Sequence, residues 1–565
     1  MSKRWRGDEP TNRPPKRQRQ QTEKEDYISN LSDEILLQIL SFLPVDTLVI
    51  CQQLSKRFHA LAGDSELWKR RYFARWVLPR ARSVPHSKHL KVSTGTVYSP
   101  RVSKWLGHSH LAADDSHRSI HWKTQYRLRH NWSRGTCRLD ELEVSRPPLS
   151  EILIKLYSGV VVTADKEHGL RAWATKSPKK QLAVLPFPKI SDVPTALFVN
   201  KEAAAESIEV TVGFDDGHFG VYSLDVAHAK FELCLSQMAA TNNTAAITAI
   251  ASAPPYLLTI SQHKIFNLYK MPPHASQHDE EPPRLLASLE SSNTFAPMSL
   301  SLRCSGSEVI ASIAYSFFHI SNGWTIGIQE LRFNKDGEHI TSRLATTVTM
   351  PAKAAVGENG GHLDQYRSMD FSNYNNNNAN PVSHDNFIQH KEAPTCLSYS
   401  HPFLLTSHSD NTLTMYLVFS SSDKLFIRDS RRLWGHTSSV SSVQVGDRGK
   451  AVSISPRGNE IRIWELESAV SSSPLSSRSS KALRGESSVR IKSDRSFSSI
   501  SARQKSTTVS LDTTSGAKDW SRHVFQMESD VSYSPDGWVG FDDEQVIVLR
   551  ERGLRAQFLE CYDFT

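Results

Sequence analysis

The stretch GHSHLAADDSHRSIH brings His108, His110, His117 and His121 close together, and imidazole is a common ligand of transition metals and a proton carrier near neutral pH. His117 and His121 are four apart, a spacing compatible with two ligands on one helix face. No cysteine stands among them, and Ser and Asp fill the intervening positions, so the reading is a run of exposed linker histidines and no metal or cofactor is expected. There is no GxSxG elbow, no HExxH and no GxGxxG after a strand, and GDRGK (Gly446 to Lys450) is too short to wrap a phosphate. A chain without these groups is read as a non-enzyme, which shifts attention to the elements that bind rather than transform.

The bulk properties bound what those elements are. The 565 residues suggest a few domains or one large repeat architecture, and the hydrophobic fraction of 38% leaves room for long polar inserts. Six cysteines stand singly with no CxxC pair and no signal peptide ahead of them, so a reduced, intracellular protein is expected. No uncharged apolar run nears the roughly 18–20 residues of a membrane helix, so no membrane is expected. Much of the net charge of +8 sits in KRWR (Lys3 to Arg6) and RPPKRQR (Arg13 to Arg19). This basic tail, 1–26, is read as disordered. The cluster Arg13 to Arg19 favours nuclear import, giving a nuclear and/or cytoplasmic location, and nucleic acid is not an expected partner because no aromatic residues interleave with it.

The first positioning element is LSDEILLQILSFLP (Leu31 to Pro44). Leu31, Ile35, Ile39 and Leu43 recur at helical spacing, with Leu36, Leu40 and Phe42 beside them. Ser32 can cap this helix, Asp33 and Glu34 suit its positive pole, and Pro44 stops it at Leu43. Asp46 can cap a second helix with Leu48 and Leu54, SKRFHALAG reads as a third ending near Gly63, and SELWKRRYFARW as a fourth from Ser65. About 50 residues of short helices are near the lower limit for an independent core, so apolar surface is left for a partner.

This spacing resembles the F-box: Leu31 to Glu34, Ile35, Ile39, the Leu43-Pro44 break, Leu48, QQLSKRFHAL and the closing Asp64 to Trp68. The resemblance implies that 27–76 docks onto the Skp-type adaptor of a cullin-RING ligase through Leu31, Ile35, Ile39, Leu43, Pro44, Leu48, Leu54 and Trp68. One departure stands at Leu31-Ser32, where many family members have Leu-Pro.

After a linker, 77–134, the pattern changes to short β-runs. Val160 to Trp173, Val210 to Tyr222, Leu257 to Tyr269, Leu404 to Tyr416 and Ala451 to Trp464 each read as strand, polar turn, and strand closed by an aromatic residue. Weaker versions lie at Ser307 to Phe333 and Asp530 to Gly553. The repeat resembles the WD blade of a β-propeller, most clearly where GHTSSVSSV (Gly435 to Val443) precedes EIRIWELE. The expected fold is a small all-α F-box module followed by an all-β WD-repeat-like propeller of seven blades over 135–565. Seven blades of about 45 residues leave an excess, assigned to disordered inserts near 357–386 and 468–508. In that family a turn Asp six residues before the closing aromatic bonds towards the Gly-His histidine. Asp216 and Asp410 fit, but Gly458 and Glu167 stand at that position in the sixth and first repeats, so no blade is expected to have the whole network.

The run WKTQYRLRHNWSRG resembles the Asn-Trp-x-x-Gly lead into the propeller of F-box/WD proteins, and Thr136 to Val144 would then be the outer strand of the last blade, closing the ring. Some of these proteins hold phosphorylated segments with basic residues just before the turn Asp; by position those are Arg457 and Lys166 here, with Asp215 and Ser409 in two other repeats. The whole implies a substrate-recognition subunit of an SCF-type ubiquitin ligase with an unknown protein substrate. A propeller scaffold without ligase output is the alternative.

Overall fold

The computed structural model describes residues 27–28, 30–78, 121–145, 152–176, 181–188, 192–201, 207–237, 245–272, 282–290, 295–305, 308–320, 322–348, 388–421, 424–446, 449–455, 460–467, 488–493, 537–552 and 556–565. The basic tail 1–26, the insert 357–386 and residues 79–120 of the expected linker lie outside these. Two compact units result, one of the amino-terminal helices with residues 120–126, the other of residues 127–565.

In the first unit, α1 (Asp33–Phe42), α2 (Val45–Cys51), α3 (Lys56–Ala62) and α4 (Ser65–Tyr72) are followed by a π-helical turn, Phe73–Val77. Leu43 leaves helical geometry with ψ 146°, as a residue before proline should. Ser55 Oγ accepts from Phe58 N, and Asp64 Oδ1 accepts from Glu66 N and Leu67 N, which satisfies the orphan donors of α3 and α4. Two expected caps are corrected. Ser32 has N-cap geometry but no side-chain cap bond; the start of α1 is held instead by Arg57, which donates to Asp33 Oδ1 (2.6 and 2.9 Å) and to Leu31 O (2.5 Å). Asp46 lies inside the first turn of α2, whose N-cap is Pro44. Arg71 of α4 donates to the end of α1 at Ser41 O (3.2 Å) and Leu43 O, where cationic charge meets the negative pole of the helix.

The interior of this unit is Leu36, Leu40, Leu48, Ala62, Leu67, Trp68 and Tyr72. Trp68 Nε1 donates to Ala62 O at 2.8 Å, so the indole is fixed by a bond as well as by packing. A fifth helix, α5 (Trp122–Arg134), arises inside the stretch read as linker. Its first turn completes the unit: the Trp122 ring lies 5.5 Å from Tyr72 and 5.6 Å from Phe73, and Tyr126 lies 5.3 Å from Trp68 and 4.8 Å from Trp76.

The second unit is a seven-bladed propeller. Blades 1 to 6 occupy 153–185, 194–237, 247–290, 295–346, 396–433 and 442–490, each a four-stranded antiparallel sheet with strands in chain order from the axis outward. Blade 7 combines 539–563 with the strand Thr136–Ser145, which pairs antiparallel with Ala556–Asp563, Leu139 opposite Tyr562 and Asp140 opposite Cys561. Both sheet edges that an open array would expose are thereby used. Lys492–Ser493 then adds parallel to Thr136 and Cys137 as a fifth strand. This corrects one expectation: within 468–508, Ser488–Arg490 is the outer strand of blade 6 and Lys492–Ser493 the extra strand of blade 7, while 468–487 and 494–508 lie outside the described residues.

The burial pattern explains the sequence pattern. A second strand is covered on both faces by neighbouring blades, so Val160–Asp165 is buried at every position and reads as a continuous apolar run rather than an alternating one. An outer strand such as Gln181–Leu185 is mixed, with Gln181 and Val184 exposed and Ala183 buried. Apolar clusters fill the seams between consecutive blades, from blades 1 and 2 round to blades 7 and 1, where Trp173 packs among Val144, Ile547 and Leu559. The second half of α5 belongs to this unit. Leu128 and Trp132 join the seam of blades 6 and 7, the Trp132 ring stacks 4.2 Å from Phe564, and its Nε1 donates to Asp543 O.

Candidate protein-interaction surfaces

The helical unit sorts its apolar residues onto two adjacent stripes. Leu36 and Leu40 of α1 point inward, whereas Ile35 (50% exposed), Ile39 (46%) and Phe42 (79%), at i, i+4 and i+7, face solvent. Val49 and Ile50 of α2 and Leu54 after it are exposed too. Of the residues expected to meet an adaptor, Ile35, Ile39, Pro44 and Leu54 are exposed and Leu31 and Leu43 half-buried. Leu48 and Trp68 are corrected: both are interior, Leu48 at 0% and Trp68 at 2% exposure, because the short helices need them to close their own core. Phe42, Val49 and Ile50 were not assigned to the face from the sequence. The i+7 spacing of Phe42 from Ile35 was the available signal.

On the propeller, one face of the ring carries the turns between second and third strands and the connections between blades. Here the bond network is partial, as expected, and in blades 6 and 1 it uses acids at other positions than the pattern gives. In blade 6, Trp464 Nε1 donates to Ser453 Oγ (2.7 Å), which also meets His436 Nε2 (2.6 Å). No Asp follows at 458, but the Glu460 carboxylate, two residues later, accepts from Thr437 N (2.9 Å) and Oγ1 (3.1 Å) and lies 3.6 Å from His436 Nδ1. Burial pushes the Glu460 carboxyl up, but the Thr437 bonds, Arg462 and His436 outweigh it and hold its pKa below the ordinary value. Blade 1 shifts the carboxylate the other way. Glu167 stands at the expected position, yet Asp165 accepts from Glu167 N and His168 N and binds Arg171 Nη2 at 2.6 Å. In blade 5, Thr406 Oγ1 meets His408 Nε2 (2.9 Å), His408 stacks 3.8 Å from His390, and Asp410 accepts from Thr412.

The same face presents Phe318 (58% exposed) and Ile320 (94%) at the tip of blade 4 and Trp434 (66%) between blades 5 and 6, the last with the Arg432 guanidinium 5.7 Å from its ring. Lys166 is exposed in the turn of blade 1, and Arg457 lies outside the described residues. Of the linker histidines only His121 is described, exposed ahead of α5, and among the described residues no group of three or more His, Cys, Asp or Glu is placed to hold a metal ion. No helix among them is long and apolar enough to cross a membrane.

The family model described as "F-box protein pof12 beta-propeller" matches residues 137–565, and one described as "F-box-like" matches residues 28–74. Among curated proteins, F-box protein pof12 of Schizosaccharomyces pombe is 26% identical over 163 residues, 28% of this chain and 28% of that protein. F-box protein dre-1 of Caenorhabditis elegans is 36% identical over 53 residues, 9% of this chain and 6% of that protein. The alignments thus span under a third of the length of either relative. Among solved structures, the carboxy-terminal WD40 domain of Sif2 aligns with a TM-score of 0.31 at 13% identity, over 59% of this chain and 73% of that one. A mitotic checkpoint complex chain aligns with a TM-score of 0.30 at 11% identity, over 58% and 91%.

Proposed function

Since the chain belongs to the F-box protein pof12 beta-propeller family and carries an F-box-like module ahead of the propeller, we propose that it is the substrate-recognition subunit of an SCF-type cullin-RING ubiquitin ligase. The observation that carries this reading is the exposed stripe Ile35, Ile39 and Phe42 with Val49, Ile50 and Leu54. A stripe that the module does not use for its own core, at the spacing of one helix face, suits burial against helices of a Skp-type adaptor. The propeller then presents the protein substrate, with Phe318, Ile320 and Trp434 as its apolar contacts. The mechanism is proximity. Holding a target lysine beside a charged conjugating enzyme raises its effective concentration and asks no acid or base of this chain.

The test replaces Ile35 and Ile39 with Asp together. Both are exposed, so the fold should keep its melting temperature, whereas two carboxylates buried without partners should abolish adaptor binding, since an unpaired buried charge costs more than an unpaired neutral polar group. A folded double variant that co-purifies the adaptor at the wild-type yield overturns the reading.

A further inference from the structure

The inner strands of the blades, Leu153–Tyr157, Pro194–Lys201, Ile247–Ala253, Phe295–Ser305, Cys396–Ser400, Ser442–Val445 and Val539–Phe541, touch one another in turn around the ring and enclose its central channel. No Asp or Glu occurs in any of them. At one level the wall is stapled from blade to blade. Ser299 Oγ accepts from Tyr399 N (3.1 Å), Ser398 Oγ from Val445 N (3.0 Å) and Gln444 Oε1 from Phe541 N (3.1 Å). Each staple consumes an acceptor and leaves a donor to the water of the channel: the hydroxyl protons of Ser299 and Ser398 and the amide NH2 of Gln444. All three residues are half-exposed.

Register shows what the first blade contributes to this level. Tyr399 connects through Leu404 to the closing aromatic Tyr416, and Val445 through Ala451 to Trp464. In blade 1 the same path runs from Leu156 through Val161 to Trp173. The residue before Leu156 is Lys155, which therefore stands where Ser398 and Gln444 stand. An ammonium cannot accept a staple, and Lys155 makes no hydrogen bond or ion pair among the described residues. Its side chain is exposed to solvent, yet it lies deep enough among protein atoms that desolvation lowers its pKa. The titratable group acting on it is the thiol of Cys396, on the inner strand of blade 5, which is not a neighbour of blade 1. Its register on the inner strand of blade 1, level with Ser398 and Gln444, places Lys155 at the wall of the channel.

We propose that this level of the channel binds a phosphate-class anion, with Lys155 as the counter-charge and Ser299, Ser398 and Gln444 as hydrogen-bond donors. A cation at this wall gains most from an anion that is itself hydrogen-bonded, and inner strands that offer donors and no carboxylate do not compete for it. Lysine supplies a point charge and so suits a small tetrahedral anion free to turn.

Mass-spectrometric acylation of lysines on the intact protein, with and without inorganic phosphate, tests the site. Phosphate should slow labelling of Lys155 several-fold while leaving the exposed Lys166 and Lys424 unchanged, and chloride at equal ionic strength should not act. Phosphate should also raise the melting temperature of the wild type and of Lys155→Arg, but not of Lys155→Gln. Glycerol phosphate as a further arm separates the sources: protection by it assigns the site to phosphomonoesters, and protection by inorganic phosphate alone assigns it to the free ion. Labelling of Lys155 that phosphate does not slow overturns the proposal, even if Lys155→Gln fails to fold.

Discussion

Glu460 holds the sixth blade together from a position at which the repeat pattern does not place an acid. Its carboxylate takes both Thr437 donors and faces the part-buried Arg462 (3.5 Å) and the exposed Arg490 (3.6 Å), so its loss would remove two bonds and the counter-charge of Arg462. Glu460→Gln, which keeps the shape but not the charge, should therefore cost about 1–3 kcal/mol, read as a lower denaturant midpoint. The two ends of the blade's network, His436 and Trp464, are legible in the sequence because the Gly-His start and Trp finish are fixed in type and spacing, whereas nothing in the linear pattern marks Ser453 as the link between them. The carboxylate is not legible either, since a side chain one methylene longer than Asp can serve from two residues further on, and nothing in a linear pattern records reach. The histidines carry a second consequence. Burial lowers the pKa of His390 and His436 to about 4 and of His408 to about 3, so all three are neutral when folded. The unfolded chain takes up protons on them near the ordinary value of 6.5, so below that pH it binds more protons than the folded chain. Stability should be fully present above about pH 6.5 and fall towards pH 4 by up to about 1.4 kcal/mol per pH unit for each histidine. Asp410 and Glu460, whose pKa values are lowered, add to the loss further down as they protonate. Guanidinium midpoints at about pH 7 and about pH 5 check this, and equal midpoints would show that the histidines are not buried in solution.

At the scale of elements, the hairpins of second and third strands were readable because burial on both faces forces apolar runs and an aromatic closure. The outer strands were not, because a strand solvated on one side and short in length differs little from loop composition. Ser488–Arg490 shows this most clearly. It sits in a Ser-rich stretch whose composition argues for disorder, and only the alternation of Val489 and Ile491 with Arg490 and Lys492 marks a strand. The helix α5 is obscured for a related reason, since its Arg- and Trp-rich run reads as a lead-in motif before it reads as a helix. The consequence for engineering is a sharp boundary. Deleting 468–508 should remove the outer strand of blade 6 and the fifth strand of blade 7, and the protein should become insoluble or melt many degrees lower. Deleting 470–486 and rejoining the ends through a short Gly-Ser linker should leave the melting temperature nearly unchanged, since loop closure depends only weakly on length. If both deletions melt alike, the two strands contribute nothing to stability.

At the scale of the whole molecule, a ring has no first or last blade, and the chain must join its own ends to make one. It does so twice. Thr136–Ser145 pairs along its length with Ala556–Asp563, and the chain leaving blade 6 reaches the other edge of that same strand at Lys492 and Ser493. Blade 7 thus depends on three separate parts of the sequence, which is why its closure strand could be expected from the order of parts while its fifth strand could not. Truncation after Ser529 removes both the partner of Thr136–Ser145 and the residues of Val539, Ile547 and Leu559 that fill the seams on either side. Unpaired strand edges and opened apolar seams favour pairing between chains, so this fragment should aggregate or run as polydisperse oligomers in size-exclusion chromatography. Removal of residues 1–26 takes away none of the residues that form the described strands and seams and should leave a monodisperse protein. A soluble, monomeric 1–529 fragment with the wild-type melting temperature would mean that the first six blades close among themselves and that the carboxy-terminal strands only decorate the ring.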